Sequence, residues 1–221
     1  MKLSLLVLCA LPAAASLHAE NSETILARMD EAAATFKGVF ADVRMTVFTK
    51  VIDDQDVQTG TLKMQRLKGK STRALLSLSG QSDSHTVFLF DNTVQIYTPK
   101  LKLLQTYDVG KSSDLLSQFL LLGFGSSGKE LMDSYDVNNA GIEKIAGQET
   151  TALVLLPKTA KVKEKLSKVE MWIPEGEAYP VQQQFFEPNG NYRIMQYSNL
   201  KPNPPIKGNL EFKPPSGTKK Q

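Results

Sequence analysis

The apolar positions near the start of the chain recur first with a helical period and then with the period of a β-strand. Between Ser22 and Gly38 the apolar residues return every three or four positions, which predicts a first helix of about four turns. From Val39 onward apolar and polar residues alternate, which predicts a long strand with one buried face. The residues expected on that face are Val39, Ala41, Val43, Met45 and Val47.

Several shorter alternating segments follow, separated by clusters of Gly, Ser, Asp and Asn that favour tight turns. A turn is predicted between Asp53 and Gly60, and the strand after it, at residues 61–66, carries Arg66 on the same face as two apolar residues, Leu62 and Met64. The spacing is typical of an antiparallel meander. The further strands that it predicts lie at residues 73–79, 85–90, 93–98 and 103–109.

In the middle of the chain the pattern becomes helical again. Ser112 or Ser113 would cap a helix that ends near Gly123 and is apolar on nearly every side. Such a helix needs cover on more than one side, so it is either a buried core helix or a lid whose inner face meets the sheet or an apolar ligand. Ser127 with Glu130 is a capping-box pattern and predicts a second, short helix.

After Gly141 the alternating pattern returns, with a hairpin turn expected at residues 188–190. A single sheet of eleven or twelve strands must curl or split to avoid a flat exposed face. We therefore expect a mainly β fold, an incomplete antiparallel β-barrel of about eleven strands whose helices cover or plug the concave side. The strands predicted in this second half lie at residues 142–145, 151–156, 168–173, 179–186, 192–198 and 209–213.

The first residues have the three-part form of a secretory signal. A basic start is followed by a short apolar run and then by small residues up to Ala19. The run is shorter than the ~20 residues that a spanning helix needs, so a retained membrane helix is the weaker alternative. We expect a signal peptide at residues 1–19, cleaved after Ala19 or Ala15, and one domain at residues 20–221, exported to the periplasm if the source is a Gram-negative bacterium.

Composition argues against most catalytic and metal chemistry. The 221 residues include one cysteine and two histidines, and Cys9 and His18 fall inside the predicted signal. One thiol forms no internal disulfide, and the usual structural zinc sites need more ligands. No hydrolase or nucleotide-binding motif occurs, and a net charge of +3 without a basic cluster does not indicate nucleic acid. We expect no enzyme, no metal and no cofactor, with a glycosidase carboxylate pair from distant strands left open.

Four segments, in this order, resemble one protein family. The first is the N-terminal helix with the Phe-Lys-Gly-Val sequence at residues 36–39, and the second is Met-Gln-Arg-Leu at residues 64–67. The others are residues 91–99, which include Tyr-Thr-Pro, and residues 210–217, which close on Phe-Lys-Pro-Pro-Ser-Gly. With the helical insertion between them, they resemble the LolA-like family, the periplasmic carriers of outer-membrane lipoproteins, from about residue 23 to residue 217.

This resemblance implies a half-barrel with a helical lid, which binds the acyl chains of a lipoprotein and carries it from the inner to the outer membrane. It implies an inner-membrane lipoprotein-releasing transporter and an outer-membrane receptor as partners, and we expect a monomer. A carrier of phospholipid or isoprenoid and a lipoprotein-sensing module are the alternatives. The expected cavity and lid residues are Val43, Met45, Val47, Leu62, Met64, Leu76, Leu116, Phe119, Leu120 and Met171.

The resemblance also implies that an arginine holds the lid over the cavity. Arg66 takes the place of the arginine in the family's Arg-Pro motif, although Leu67 stands where the family has proline. The nearby basic residues Lys68, Lys70 and Arg73 are rival candidates for this role.

Overall fold

A computed structural model of the chain describes residues 20–67, 71–81, 83–108 and 122–221. Within these ranges the chain forms three α-helices, α1 (Ser22–Thr35), α2 (Gly128–Ser134) and α3 (Ala160–Lys163), and a twelve-stranded sheet. The strands are β1 (Gly38–Thr49), β2 (Asp54–Arg66), β3 (Thr72–Gly80), β4 (Ser84–Phe90), β5 (Thr93–Thr98), β6 (Leu103–Asp108), β7 (Tyr135–Ile145), β8 (Gln148–Pro157), β9 (Lys168–Pro174), β10 (Gln182–Phe186), β11 (Tyr192–Pro202) and β12 (Lys219–Lys220).

Two antiparallel meanders make up the sheet. Strands β1 to β6 lie side by side in chain order, strands β7 to β11 do the same, and the two meanders meet where β1 pairs with β11. The short strand β12 pairs in parallel with β6 and adds one more strand to that edge. Since β7 and β12 stay at opposite edges, the sheet is open, which confirms the predicted incomplete barrel.

One hydrophobic core lies against a single face of the sheet, here called the inner face. Its residues come from strands of both meanders and from Ile25, Leu26 and Met29 of helix α1. Twelve strands spaced ~4.8 Å apart would form a sheet ~53 Å wide if it were flat. Contact of both meanders with one core therefore requires the sheet to curl around helix α1. The alternation predicted for β1 is confirmed, because Val39, Ala41, Val43 and Met45 are buried while Val47 is partly buried.

Helix ends follow the predicted caps, with one difference. Asn21, one residue earlier than Ser22, is the N-cap of α1 and its side chain accepts a hydrogen bond from the Glu23 amide. The capping box predicted at Ser127 is present at the start of α2, since the Ser127 and Glu130 side chains each bond the other residue's backbone amide. The longer helix predicted to end near Gly123 lies mostly outside the described residues.

The main differences from the predicted strands lie at four places. The first turn is confined to residues 50–53, so Gly60 lies inside β2, where a Cβ atom would come within 1.8 Å of the Ser77 carbonyl oxygen of β3. Strand β7 begins at Tyr135, well before Gly141; Tyr135 is buried and Val137 is half-buried, but the three residues after Val137 are exposed and polar or small, which hides the alternation. Residues 179–181 precede β10 instead of belonging to it, and residues 209–213 are not a strand.

The predicted strand at residues 209–213 is instead part of a C-terminal segment that crosses the outer face. Pro214 and Pro215, directly after this stretch, cannot donate to a sheet ladder, and side chains of the sheet hold the stretch in place. Gln65 accepts from the Leu210 amide at 2.6 Å, and Arg73 donates to the Leu210 carbonyl at 3.0 Å. Phe212 packs on Tyr97, with ring centroids 5.7 Å apart. Among the described residues, no helix is long and apolar enough to cross a membrane.

Candidate functional site

The inner face brings together six of the predicted cavity residues. Strand register places Leu62 beside Leu76 on β3, and Met171 beside Leu153 on β8, all within the one hydrophobic core. Side-chain alternation explains this grouping, because every second residue of neighbouring strands points to the same side. The six fully or nearly fully buried residues are Val43, Met45, Leu62, Met64, Leu76 and Met171.

The other predicted cavity and lid residues divide into two groups. Val47, near the C-terminal end of β1, is partly buried and packs against the core. Leu116, Phe119 and Leu120 lie outside the described residues, and so do Lys68 and Lys70, two of the rival basic residues. The remaining rival, Arg73, pairs with Gln65 in register and contacts the C-terminal segment on the outer face.

Arg66 stands at the end of β2 on the inner face and joins three parts of the chain. Its backbone amide donates to the Lys37 carbonyl at 2.8 Å, which fixes the strand end. Its Nη1 donates to the carbonyl of Ala33 in α1 at 3.0 Å, and its Nη2 donates to the carbonyl of Gly125 at 2.5 Å. The guanidinium also lies 5.0 Å from the centroid of the Phe36 ring. Arg66 therefore fastens residues 122–127, here called the return segment, to helix α1.

Gly125 is shaped for this contact. Its φ of +78° is a left-handed conformation that glycine adopts without strain. A Cβ atom at this position would lie 2.4 Å from a Phe36 ring carbon and 2.8 Å from Arg66 Nη2. Only a residue without a side chain lets the carbonyl approach the guanidinium so closely. A cleft of about 560 Å³ adjoins the contact, and Asp30 and Glu130 are among the residues that line it.

A second polar contact holds the return segment at its other end. The side-chain amide of Gln183, which is fully buried on β10, donates to the Leu122 carbonyl at 2.9 Å. Its oxygen accepts a 2.7 Å hydrogen bond from the hydroxyl of Tyr197 on β11. A buried amide without hydrogen-bond partners would lower the stability of the fold by roughly 1–3 kcal/mol, so both bonds favour this arrangement. The return segment is thus bonded to the inner face through two of its carbonyls.

Aromatic packing fills the space between these two polar contacts. Phe124, almost fully buried, meets the Tyr197 ring edge-on at 4.9 Å and stacks on Tyr179 with centroids 6.1 Å apart. Phe36 completes the group at 6.3 Å from Tyr179. Burial raises the pKa of both tyrosine hydroxyls, and the nearby Arg66 charge opposes the rise at Tyr179. Both tyrosines therefore stay neutral; their rings pack in the core, and the Tyr197 hydroxyl donates a hydrogen bond.

The inner face offers little for catalysis among the residues described. His85 lies on β4, half-buried, and no group of three or more His, Cys, Asp or Glu side chains suited to a metal ion occurs in the described ranges. Gln58 of β2 is another deeply buried amide, and it donates to Asp56 at 2.7 Å. The inner face offers mainly apolar contacts, with a few amide and guanidinium groups at its ends.

Sequence reasoning missed Gln183, Tyr197, Phe124 and Gly125. The run of three glutamines at residues 182–184 conceals which one faces inward, although strict alternation with Phe185 puts Gln183 on the apolar side. Tyr197 alternates with Met195 on β11 in the same way. Gln183 and Tyr197 are 14 positions apart on the two strands of one hairpin, but the partners in residues 122–125 lie far away in sequence, so no local pattern could have paired them.

No protein-family model matches this sequence, and no curated protein is similar to it in sequence. Solved structures do resemble the fold. An uncharacterised conserved protein from Thermus thermophilus has 12% identity and a TM-score of 0.53, over 90% of this chain and 98% of that one. MucB has 14% identity and a TM-score of 0.50, over 84% of this chain and 60% of MucB. These likenesses show a shared fold.

A LolA superfamily protein from Nitrosomonas europaea also aligns, at 12% identity and a TM-score of 0.36, over 83% of this chain and 94% of that protein. MucB itself has been solved in a complex with MucA from Pseudomonas aeruginosa. Among the structural neighbours of this chain are this LolA superfamily protein and a domain from Vibrio parahaemolyticus named as an outer-membrane lipoprotein-sorting protein.

Proposed function

We propose that this protein is a periplasmic carrier that binds lipoprotein acyl chains against its inner face and transfers them from the inner to the outer membrane. The observation that carries the proposal is the inner face itself, a continuous apolar surface shared by both meanders and covered by a segment that polar contacts hold in place. The LolA-like motifs of the sequence support the choice of a lipid or lipoprotein as cargo.

Reversible binding follows from what the acyl chains must displace. Burying one methylene stabilises a complex by roughly 0.8 kcal/mol, so several chains buried without any opposing cost would hardly dissociate. Leu122 and Phe124 of the return segment occupy the inner face in this structure. Cargo that takes their place exposes them or moves them elsewhere, which offsets part of the gain. Because the inner face is already filled in the empty protein, its net affinity for acyl chains stays low enough for a carrier to release them.

Arg66 and Gln183 give the exchange two defined states. With the return segment in place, both side chains bond its carbonyls; with the segment displaced, both lose these partners. Arg66 then keeps only its bond to Ala33, and a buried guanidinium with too few partners is costly, so the segment tends to return once the cargo leaves. We therefore assign lid control to Arg66, acting on Gly125. The predicted lid residues Leu116, Phe119 and Leu120 belong to the same proposal.

Lipid analysis of the protein from its own periplasm tests the cargo. Native mass spectrometry of the purified protein, followed by solvent extraction, separates the outcomes. A co-purifying triacylated protein supports lipoprotein transfer, and a free phospholipid or isoprenoid lipid redirects the proposal to a lipid carrier of the same fold. Finding neither, also after overproduction of a lipoprotein in the same cells, would overturn both.

A sensing module is the second candidate, and the likeness to MucB favours it. MucB shares this fold at a TM-score of 0.50, and it has been solved with a protein partner, MucA. The chain spans 60% of MucB. A sensor would bind a partner protein in a lipid-dependent way and would not pass its lipid to acceptor vesicles, whereas a carrier would do so.

A further inference from the structure

The β1–β2 hairpin projects beyond β3 at one end of the sheet, while on its other side it is level with the turn between β10 and β11, since Phe48 pairs with Tyr192. Strand β3 pairs with β2 only as far as Gln58, opposite Gly80, while β1 and β2 remain paired up to Thr49 and Asp54. At ~3.3 Å per residue, the four further residues of β2 extend the hairpin by about 13 Å past the end of β3. Residues 50–53, here called the hairpin tip, form its end as a short 3₁₀ turn.

Two large apolar side chains occupy the hairpin tip in full contact with solvent. Val51 is 91% exposed and Ile52 is 68% exposed, more than the other large hydrophobic residues of the described chain. Single exposed apolar residues are ordinary, but two adjacent branched ones at the end of a hairpin are not explained by packing. Val51 and Ile52 do not pack in the core, and their exposed side chains would be favourably placed in an apolar medium outside the protein.

The hairpin tip is held rigidly. The Lys50 amide donates to Asn191 Oδ1 at 3.0 Å, and the Asp53 amide closes the turn on the Lys50 carbonyl at 3.2 Å. Directly behind the tip, Phe48 stacks on Tyr192 with centroids 4.7 Å apart, and Phe186 lies 6.1 Å from the same tyrosine. A tyrosine ring between water and an apolar medium is typical of membrane interfaces, which suits Tyr192.

A lysine-rich stretch lies at the same end of the sheet. Register runs from Phe48 through Tyr192 and Phe186 to Lys168, so the start of β9 is level with the base of the tip and about 14 Å away across three strand spacings. The connection before it, residues 158–168, has five lysines and one glutamate. Lys163 and Lys165 are exposed there. The second hairpin at this end, residues 99–102, carries Leu101, 64% exposed, next to Lys102.

Acidic groups face this surface as well. Asp53 and Asp54 flank the tip, Glu164 lies within the lysine stretch, and Glu187 pairs with Arg193 at 2.7 Å. Lys158 pairs with Asp136 at 3.8 Å, and Lys168 pairs with Glu170 at 2.6 Å. With these two carboxylates and Glu164 counted, the five lysines still outnumber the carboxylates on the side of residues 158–168. Attraction to a negative surface therefore comes from that side, and insertion comes from the tip.

We propose that this end of the sheet docks on the surface of an anionic phospholipid bilayer. Val51 and Ile52 enter the boundary between head groups and acyl chains, the Phe48–Tyr192–Phe186 row lies at head-group depth, and residues 158–168 bind lipid phosphates. The proposal is independent of the cargo: it concerns an outer surface of the hairpin, and it would hold for a carrier or for a sensor.

Vesicle binding of the full mature chain tests the proposal. Vesicles of phosphatidylglycerol with phosphatidylethanolamine are compared with vesicles of phosphatidylcholine alone, and bound protein is separated by flotation. We expect the wild type to bind the anionic vesicles at least tenfold more strongly, and V51S/I52S to bind them at least tenfold more weakly than the wild type. K163E/K165E should bind both kinds of vesicle equally.

Matched controls change the same residue types elsewhere. Ile142→Ser replaces another exposed isoleucine, and K144E/K201E makes the same charge change at exposed lysines of other strands. Both controls should bind within twofold of the wild type. The proposal would be overturned if the wild-type protein did not bind anionic vesicles, or if Ile52→Ser and Ile142→Ser reduced vesicle binding equally. Uptake of a fluorescent fatty acid, measured in parallel, separates this result from the carrier function, since V51S/I52S should take it up normally.

Discussion

The hydroxyl of Tyr197 donates a 2.7 Å hydrogen bond to the side-chain oxygen of Gln183, and the amide nitrogen of the same Gln183 donates to the Leu122 carbonyl. A buried tyrosine thereby orients an amide, which in turn holds the return segment. Such a chain of bonds inside an apolar face has large consequences when one member is lost, because the remaining groups stay buried without water.

Replacing Gln183 with leucine should lower the free energy of unfolding by about 1–3 kcal/mol. The substitution leaves the Tyr197 hydroxyl and the Leu122 carbonyl without these partners in a dry environment. Gln182→Leu is the matched control, since that neighbouring glutamine is also buried but accepts from Gln196 instead. Urea unfolding measures both, and a Gln182→Leu effect as large as that of Gln183→Leu would contradict this account.

Arg66→Leu should slow the release of a bound acyl chain. Without the guanidinium, the Ala33 and Gly125 carbonyls lose their donors, so the empty state with the return segment in place becomes less stable relative to the loaded state. Bonds to a charged group contribute about 1.5–3 kcal/mol each, which predicts at least a tenfold slower transfer of a fluorescent fatty acid to acceptor vesicles.

Arg73→Leu controls for the loss of a guanidinium as such. Arg73 also donates to a backbone carbonyl, that of Leu210, but on the outer face. Its replacement should leave the transfer rate unchanged even if it reduces stability. Unchanged release by Arg66→Leu would rule out lid control by this arginine.

Gly125→Ala tests the close approach of the return segment to α1. A left-handed conformation costs a residue with a side chain about 1–2 kcal/mol, and here the new Cβ atom would also collide with Phe36. Gly141 has a φ of +99° and nothing within 4 Å of where a Cβ atom would lie, so Gly141→Ala reports the conformational cost alone. We expect Gly125→Ala to reduce the melting temperature clearly more than Gly141→Ala, and equal reductions would refute the steric part.

The ion pair of Glu20 and Arg28 predicts an acid dependence at the start of the described chain. Both oxygens of Glu20 accept from the guanidinium, which lowers the pKa of the carboxyl below its ordinary value of 4.5. A depressed folded-state pKa adds stability above the unfolded value and loses it as the pH falls through the folded one. Since both groups are partly exposed, the contribution is small.

NMR titration of the Glu20 carboxyl carbon measures this pKa directly. Its midpoint should lie below 4.5 in the wild type and return towards that value in Arg28→Gln, where the positive partner is absent. A midpoint that does not move in the variant would show that Arg28 is not the cause.

The elements that could be predicted correctly from the sequence are those with one buried side and one exposed side. Helix α1 and strand β1 each have one apolar side, so their periods were clear, and the alternation also put Arg66 on the inner face. Strand β7 lies at an edge, and residues 138–140 are all exposed, so its first half gave only a weak pattern. The stretch at residues 209–213 alternates as a strand would, but neighbouring prolines and the bonds to Gln65 and Arg73 keep it off the ladder.

Polar contacts of the site could not be predicted, for a different reason. Arg66 and Gly125 are 59 positions apart, and Gln183 and Leu122 are 61 apart. Each pair meets only because the curled sheet and the return segment share one core. The identity of the residues fixes what they can bond, while their partners depend on the tertiary arrangement.

The seam between β1 and β11 sets the order in which the molecule can assemble. Each meander joins strands that follow one another along the chain, so its hairpins can form early and locally. The seam instead joins Val43 to Tyr197, near opposite ends of the described chain, and it must wait until both meanders exist. The inner face is consequently incomplete until the last step of folding, so the intermediate with two separate meanders exposes the same apolar surface that the finished protein is proposed to offer to lipid.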